Sequence, residues 1–139
     1  MIRESDAAYL AGLFDGEGSI DFTKRKEKKR SGIYDCRRVS MEISMTDQSV
    51  IRWVHEVLGV GTVVKKPRKG LRKNGTKYLM QWRWRCTFRD AYYVCRVLWP
   101  YAHTKLPKIQ QVIDHYSKEK VMEGNVVSLN EYRKAMSLE

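Results

Sequence analysis

The stretch LAGLFDGEG, residues 10–18, lies where the hydrophobic pattern of the chain changes from helical to alternating. A helix predicted over 6–15 collects bulky apolar side chains on one face: Tyr9, Leu10, Leu13 and Phe14. Its opposite face collects small residues that would let a second helix approach closely: Ala8, Ala11 and Gly12. From Ser19 the period is two, so Gly16 and Gly18 are predicted to end the helix and a strand to follow.

The rest of the chain contains two further segments with alternating hydrophobicity, and three predicted helices. Residues 38–45 and 78–88 alternate between apolar and polar side chains, as half-buried antiparallel strands do. An amphipathic helix from Asp47 to Gly59 separates them, and a shorter strand is expected from 60 to about 66. Helices are predicted from Asp90 to about 99, where Asp90 is the expected cap, and from about 104 to 117.

This order of elements predicts an α+β domain, αββαββα with extra C-terminal helices, around a four-stranded antiparallel sheet. The short turns between strands, such as the Asn74-Gly75 signal, exclude a parallel sheet. The domain is expected over residues 1–118. Residues 119–139 form a tail, in which Ser128 and Glu131 predict a short capped helix.

The charge of the chain points to a polyanionic partner. Lys and Arg number 27 against 16 acidic residues, which gives a net charge of +11. No apolar run is long enough for a membrane span, and the basic residues fall on predicted strands and turns, so DNA is favoured over a membrane surface. The N-terminus lacks the layout of a secretory signal, which predicts an intracellular protein of the bacterial cytoplasm or an organelle. Three cysteines without a CxxC pair predict reduced thiols and no zinc finger.

One face of the predicted sheet is polar and can enter the major groove, where alternate side chains of a strand meet base edges. Its candidates for base contacts are Thr23, Arg25, Arg38, Ser40, Glu42, Ser44, Lys66, Gln81, Arg83 and Arg85. Two predicted basic loops, 26–30 and 68–73, suit phosphates, and Arg68 belongs to the second. For any single residue of this face an ordinary solvated position is an equally open interpretation.

LAGLFDGEG resembles the nine-residue LAGLIDADG motif of homing endonucleases. Six positions match as written, and Phe14, Gly16 and Glu17 differ. The predicted order of elements is similar to the family core, so the resemblance covers about residues 5–117. It implies a site-specific endonuclease that hydrolyses phosphodiester bonds in both strands of double-stranded DNA.

The resemblance also implies an assembly. In the family two copies of the motif helix pack together, and this chain has one copy, which implies a homodimer that cuts a roughly palindromic target. The residues expected at the interface are Ala8, Ala11, Gly12 and Asp15.

The eighth motif position implies the catalytic metal ligand, which here is Glu17. Its carboxylate, with the Gly16 carbonyl, offers the hard oxygen ligands that Mg²⁺ prefers. Asp47 resembles a residue that orients the attacking water, although an Asp there could equally be a helix cap. Lys105 resembles a basic residue that stabilises charge at the scissile phosphate, and a solvated loop lysine is the alternative. Asp15 is expected to have a structural role.

Two other functions are compatible with the same fold. A maturase would bind intron RNA and assist splicing, and a regulator would bind DNA without cutting it. The intact acid at Glu17 favours the nuclease over a purely binding module.

Overall fold

The computed structural model describes residues 2–121 and confirms the predicted element order and the α+β class. Its helices are α1 (Glu4–Glu17), α2 (Gln48–Leu58), α3 (Phe88–Leu98) and α4 (Leu106–Val121). Its strands are β1 (Gly18–Lys29), β2 (Gly32–Met45), β3 (Thr62–Lys66) and β4 (Gln81–Thr87). The strands form one antiparallel sheet in the order β1-β2-β4-β3. The predicted helix at Ser128 and Glu131 lies outside the described residues.

The core lies between the helices and one face of the sheet. Strand β2 contributes Val39, Met41 and Ile43, and β4 contributes Trp84 and Cys86, all buried at alternating positions as predicted. The opposite face stays open, which is the arrangement expected of an antiparallel sheet covered on one side. No helix within residues 2–121 is long and apolar enough to cross a membrane.

The buried face of α1 differs from the prediction. The residues packed into the core are Ala7, Leu10, Ala11 and Phe14, which form a complete stripe at helical spacing. Tyr9 is 57% exposed, and Ala11 is completely buried. The helix therefore sits on its core rotated from the predicted orientation, because small side chains at 7 and 11 let it lie close to its neighbours. Ala11 cannot belong to an open small-residue face.

The junction of α1 and β1 has no loop. The helix continues to Glu17, two residues beyond the predicted end, and Gly18 begins the strand with extended backbone (φ −86°). A glycine is needed there for space, because a Cβ on Gly18 would overlap the ring of Phe14. Gly18 ends the helix as predicted, whereas Gly16 lies within its last turn.

The basic run after residue 23 is part of a long hairpin. Strands β1 and β2 pair continuously from Gly18↔Ile43 to Lys29↔Gly32, with the turn at 30–31. The prediction of a phosphate-binding loop at 26–30 is therefore corrected, because most of this segment is strand. The second basic segment, 68–73, does lie in a loop, which the Leu71↔Lys77 bridge closes.

The ends of β4 and the start of α3 differ from the prediction. The alternation over 78–88 overestimates β4, because Met80 precedes it and is exposed, and Phe88 is an exposed residue that begins α3. Helix α3 follows β4 directly with Thr87 at its cap position, so Asp90 lies in its first turn and does not cap it. Helix α2 agrees with its predicted bounds, with Asp47 as its N-cap and Gly59 as its C-cap, and it buries Ile51, Val54 and Leu58.

We expect Gly18→Ala to destabilise the protein by about 1–3 kcal/mol, since the added methyl group overpacks the Phe14 ring. Urea unfolding followed by tryptophan fluorescence measures the loss. The control is Glu56→Ala, at an exposed position of α2, which should change the stability by less than about 0.5 kcal/mol. Equal unfolding midpoints for Gly18→Ala and the wild type would contradict the packing argument.

Candidate active site and nucleic-acid interface

The open face of the sheet presents polar and basic side chains from all four strands. The cross-strand register aligns Thr23 with Arg38, Glu42 with Arg85, and Ser44 with Arg83. Paired residues of antiparallel strands point to the same face, so the predicted candidates do share one surface. All of them are exposed or half-buried: Thr23, Arg25, Arg38, Ser40, Glu42, Ser44, Lys66, Gln81, Arg83 and Arg85. Arg68 lies beyond β3, with its guanidinium 4.2 Å from the ring centre of Tyr78.

Further residues on this face were not among the predicted candidates. The register adds Ser19, Asp21, Thr62, Val64 and Thr87. Alternate residues of a strand share a face, so the sequence could have indicated these five residues, but only if the ends of the strands had been known. Val64 is apolar and 40% exposed, which is the kind of side chain that can contact a thymine methyl group.

A polar network occupies the middle of this face. Lys66 Nζ donates to Glu42 Oε2 at 3.0 Å, and the Ser44 hydroxyl donates to the same oxygen at 3.1 Å. Partial burial would raise the pKa of Glu42. The Lys66 ammonium, the Ser44 hydroxyl and the charge of Arg83 outweigh this effect and hold that pKa below its usual value.

Glu17 is the last residue of α1, and its carboxylate is exposed at the end of the helix. The next residue, Gly18, pairs with Ile43 in the sheet, so Glu17 stands where the motif helix meets the open strands. Gly16 is likewise exposed, and its carbonyl belongs to the last turn of the helix. Within residues 2–121, no three His, Cys, Asp or Glu side chains are grouped so that they could hold a metal ion.

Asp15 joins the end of α1 to the loop before α4. Its Oδ2 accepts from the backbone N–H of His103 at 2.8 Å, and its Oδ1 accepts from that of Lys105 at 2.9 Å. This arrangement agrees with the structural role expected for Asp15. Asp15 precedes Glu17 by two residues, so the hydrogen bond also places the Lys105 backbone at the end of α1 that carries Glu17. The structure thus links the backbone of Lys105 to the last turn of α1.

The environment of Asp15 favours its charged form. Burial alone would raise the pKa of Asp15, but the backbone N–H groups of Lys105, His103 and Thr104 and the charge of His103 lower it below 3.8. Because the folded pKa is depressed, this carboxylate stabilises the fold at pH above about 3.8. That contribution is lost as the pH falls through the folded pKa.

Asp47 is the N-cap of α2, one of the two roles that the sequence left open. Its Oδ1 accepts from the backbone N–H groups of Ser49 (3.0 Å) and Val50 (3.3 Å) and from the Ser49 hydroxyl (2.6 Å). These bonds, led by the Ser49 hydroxyl, lower the pKa of Asp47. Asp47 lies at the same end of the sheet as Glu17, but four residues past Ile43, the partner of Gly18.

Comparison with known protein families gives a match for more than half of the chain. The sequence pattern described as "LAGLIDADG endonuclease" matches residues 10–88, which include the C-terminal part of α1, all four strands and α2. No curated protein sequence matches the chain.

Several solved structures share the fold. The homing endonuclease I-CvuI, in complex with its target in the presence of 2 mM Ca, is 22% identical with a TM-score of 0.59, over 80% of this chain and 65% of that one. I-SmaMI, a LAGLIDADG homing endonuclease bound to cleaved DNA, is 19% identical with a TM-score of 0.59, over 95% of this chain and 42% of that one. The homing endonuclease I-TnaI is 18% identical with a TM-score of 0.55, over 94% of both chains. The chain thus spans about two thirds of I-CvuI and less than half of I-SmaMI.

We expect Asp15→Asn to lower the free energy of unfolding at pH 7 by about 1–3 kcal/mol, because an amide cannot accept two charge-assisted backbone hydrogen bonds. The loss should shrink as the pH falls below about 3.8, where the wild-type carboxylate is itself protonated. Chemical unfolding between pH 7 and pH 3 measures both effects. Asp114→Asn, at an exposed position of α4, is the control. A pH-independent difference between Asp15→Asn and the wild type would contradict the assigned role.

Proposed function

The chain belongs to the LAGLIDADG endonuclease family, and on that premise we propose that it is a site-specific endonuclease that cuts double-stranded DNA. It acts as a homodimer on a roughly palindromic target, by metal-dependent hydrolysis at Glu17. The position of Glu17 carries this proposal. Its exposed carboxylate lies at the junction between the motif helix and an open, basic sheet face.

The sheet face supports the choice of DNA as substrate. Its strands present arginine, lysine, serine, threonine and glutamine side chains, the residue types that read base edges and phosphates. The net charge of +11 would attract the nucleic acid backbone and make the affinity strongly dependent on salt. The homing endonucleases I-CvuI and I-SmaMI, which share the fold, were solved with DNA.

The donor set at the end of α1 fits a hard divalent cation such as Mg²⁺. Glu17 offers carboxylate oxygens and Gly16 offers a backbone carbonyl, and both are exposed. When bound, the ion would lower the pKa of a coordinated water and neutralise charge on the leaving oxygen. One chain supplies one such acid, so the proposed site takes its second Glu17 from the partner subunit.

Lys105 and Asp47 are proposed to assist Glu17 in different ways. The Asp15 carboxylate holds the Lys105 backbone at the end of α1, where its ammonium group could stabilise charge on the scissile phosphate. The bonds recorded to Asp47 all end on Oδ1, which leaves Oδ2 as the oxygen that could orient a water. Asp47 is therefore proposed to combine both of the roles predicted for it.

The homodimer is proposed through the open face of α1. Ala8, Gly12 and Gly16 lie exposed at four-residue spacing, and a Cβ at Gly12 meets nothing within 4 Å. Such a stripe lets a second helix pack closely, and a two-fold arrangement places both Glu17 residues near the axis. Ala11 was predicted for this interface but is buried in the core of its own chain, which excludes it. Asp15 lies in the last turn of α1, beside the exposed stripe.

We expect Glu17→Gln to reduce DNA cleavage at least about 100-fold, while the affinity for the same DNA stays within about threefold, because the amide removes a metal ligand that acts on the chemical step. Cleavage of a selected target with Mg²⁺, and binding to it without metal, measure the two effects. The control is Glu4→Gln, an exposed acid at the other end of α1. Cleavage by Glu17→Gln at the wild-type rate would exclude the assigned site. Binding without cleavage by the wild type would favour the regulator, and assisted intron splicing would favour the maturase.

We expect Gly12→Leu to convert the dimer to a monomer and to abolish cleavage, since the side chain enters the space that a second helix needs. The fold should persist because Gly12 is exposed and a Cβ built there meets nothing within 4 Å in the chain. Sedimentation velocity and circular dichroism measure assembly and folding separately. Glu56→Leu places the same leucine side chain at an exposed position of α2 and should remain dimeric. A dimeric Gly12→Leu protein would refute packing through this face.

A further inference from the structure

An acid and a base lie side by side in the middle of the open sheet face. Lys66 Nζ is 3.0 Å from Glu42 Oε2, and the side chains are 42% and 27% exposed. Lys66 belongs to β3 and Glu42 to β2, with β4 between them, so the pair crosses the face of the sheet instead of lining its edge. A ligand on this face would therefore meet both groups at once.

Stability does not account for this arrangement. A partly exposed ion pair contributes little to folding, because its attraction is screened by water and ordering two long side chains costs entropy. The strand between them carries Arg83, whose Nε is buried without a hydrogen-bond partner among the described residues. Burying an unsatisfied donor costs free energy, so the cluster as a whole is a poor stabiliser.

The spacing of the two charged groups matches the edge of a base pair. Each base pair presents in the major groove an amino group and a carbonyl oxygen that are hydrogen-bonded to each other, about 2.9 Å apart. A carboxylate over the amino group accepts its free hydrogen, and an ammonium over the carbonyl donates to its free lone pair. The 3.0 Å separation of Glu42 and Lys66 lets both contacts form together.

The atoms flanking this couple distinguish the two kinds of base pair. In a C·G pair, guanine N7 lies next to O6, so the ammonium gains a second acceptor. In an A·T pair, adenine N7 lies next to the amino group and would oppose the carboxylate, while the thymine methyl crowds the carbonyl. An acid and a base held in this order therefore favour C·G.

We propose that Glu42 and Lys66 together read one C·G base pair in each half-site, with Glu42 accepting from cytosine N4 and Lys66 donating to guanine O6 and N7. The assignment rests on the proposed binding of DNA to this face. The Ser44 hydroxyl fixes the position of the carboxylate through its bond to Oε2. The neighbouring Lys66 and Arg83 charges keep Glu42 ionised, so that it acts only as an acceptor.

The test is a selection of bound sequences from randomised duplex DNA in the absence of divalent metal, so that cutting is not required. The wild type should favour C·G over other pairs by about tenfold or more at one position of each half-site. Glu42→Gln and Lys66→Met should each reduce that preference at the same position and leave the others intact. Glu42→Gln should also gain preference for adenine there, since a glutamine amide pairs with adenine N6 and N7.

Three controls separate this specific role from general effects of charge. Lys65→Met removes the same charge from the adjacent residue of β3, whose ammonium lies 5.6 Å from the Trp82 ring centre. Glu56→Gln removes an acid from the exposed side of α2. Both should keep the wild-type base preferences. Lys66→Arg, which retains donors for O6 and N7, should keep the guanine preference.

The outcomes distinguish this inference from the proposed function. If the wild type selects a sequence and neither Glu42→Gln nor Lys66→Met changes it, the pair does not read DNA. Changes at two different positions would likewise refute a shared base pair. A wild-type protein that selects no sequence would overturn both the proposed function and the inference that rests on it.

Discussion

The direct passage from α1 into β1 is the constraint on which the remaining structure depends. With only a hydrogen atom on Gly18, the first strand can start against the Phe14 ring, and no loop intervenes between helix and sheet. One face of α1 is thereby pressed onto the core, and its last residue, Glu17, is held at the border of the sheet. The place of the proposed catalytic acid and the start of the proposed base-reading strands thus both depend on the packing of Gly18 against Phe14.

Much of this architecture could be predicted from periodicity, because burial on one side imposes a pattern that a single sequence displays. The alternation of Val39, Met41 and Ile43 identified β2, and the helical spacing after Asp47 identified α2. The rotation of α1 was not predictable in this way. Tyr9 and Ala11 could each face the core on spacing alone, and only the packing of the whole helix shows that Ala11 does. Neither could the spacing show that the basic run after Thr23 continues a strand, since its side chains have no core to alternate against.

The candidate site shows the same division. The motif pointed to Glu17 as the candidate acid and to a structural role for Asp15, but the hydrogen bonds of Asp15 with His103 and Lys105 join residues 88 and 90 positions apart. Contacts of that sequence separation depend on tertiary packing, which local patterns do not contain. The Glu42–Lys66 ion pair also depends on tertiary structure, since it joins β2 and β3, which are separated in the sheet by β4. Sequence reasoning placed both residues on the right face without showing that they touch.

The length of β1 has a consequence for the size of the target. A strand advances about 3.3 Å per residue, and duplex DNA advances about 3.4 Å per base pair, so the two rise almost in step. The 12 residues from Gly18 to Lys29 therefore begin next to the proposed catalytic acid, Glu17, and extend away from it along the proposed DNA target. Successive outward side chains would contact positions about two base pairs apart, and the whole strand would extend over about twelve base pairs. A one-residue insertion in β1 would shift the residues beyond it and turn their side chains to the opposite face of the sheet. Substitutions on the open face of β1 should therefore be tolerated more readily than changes in its length.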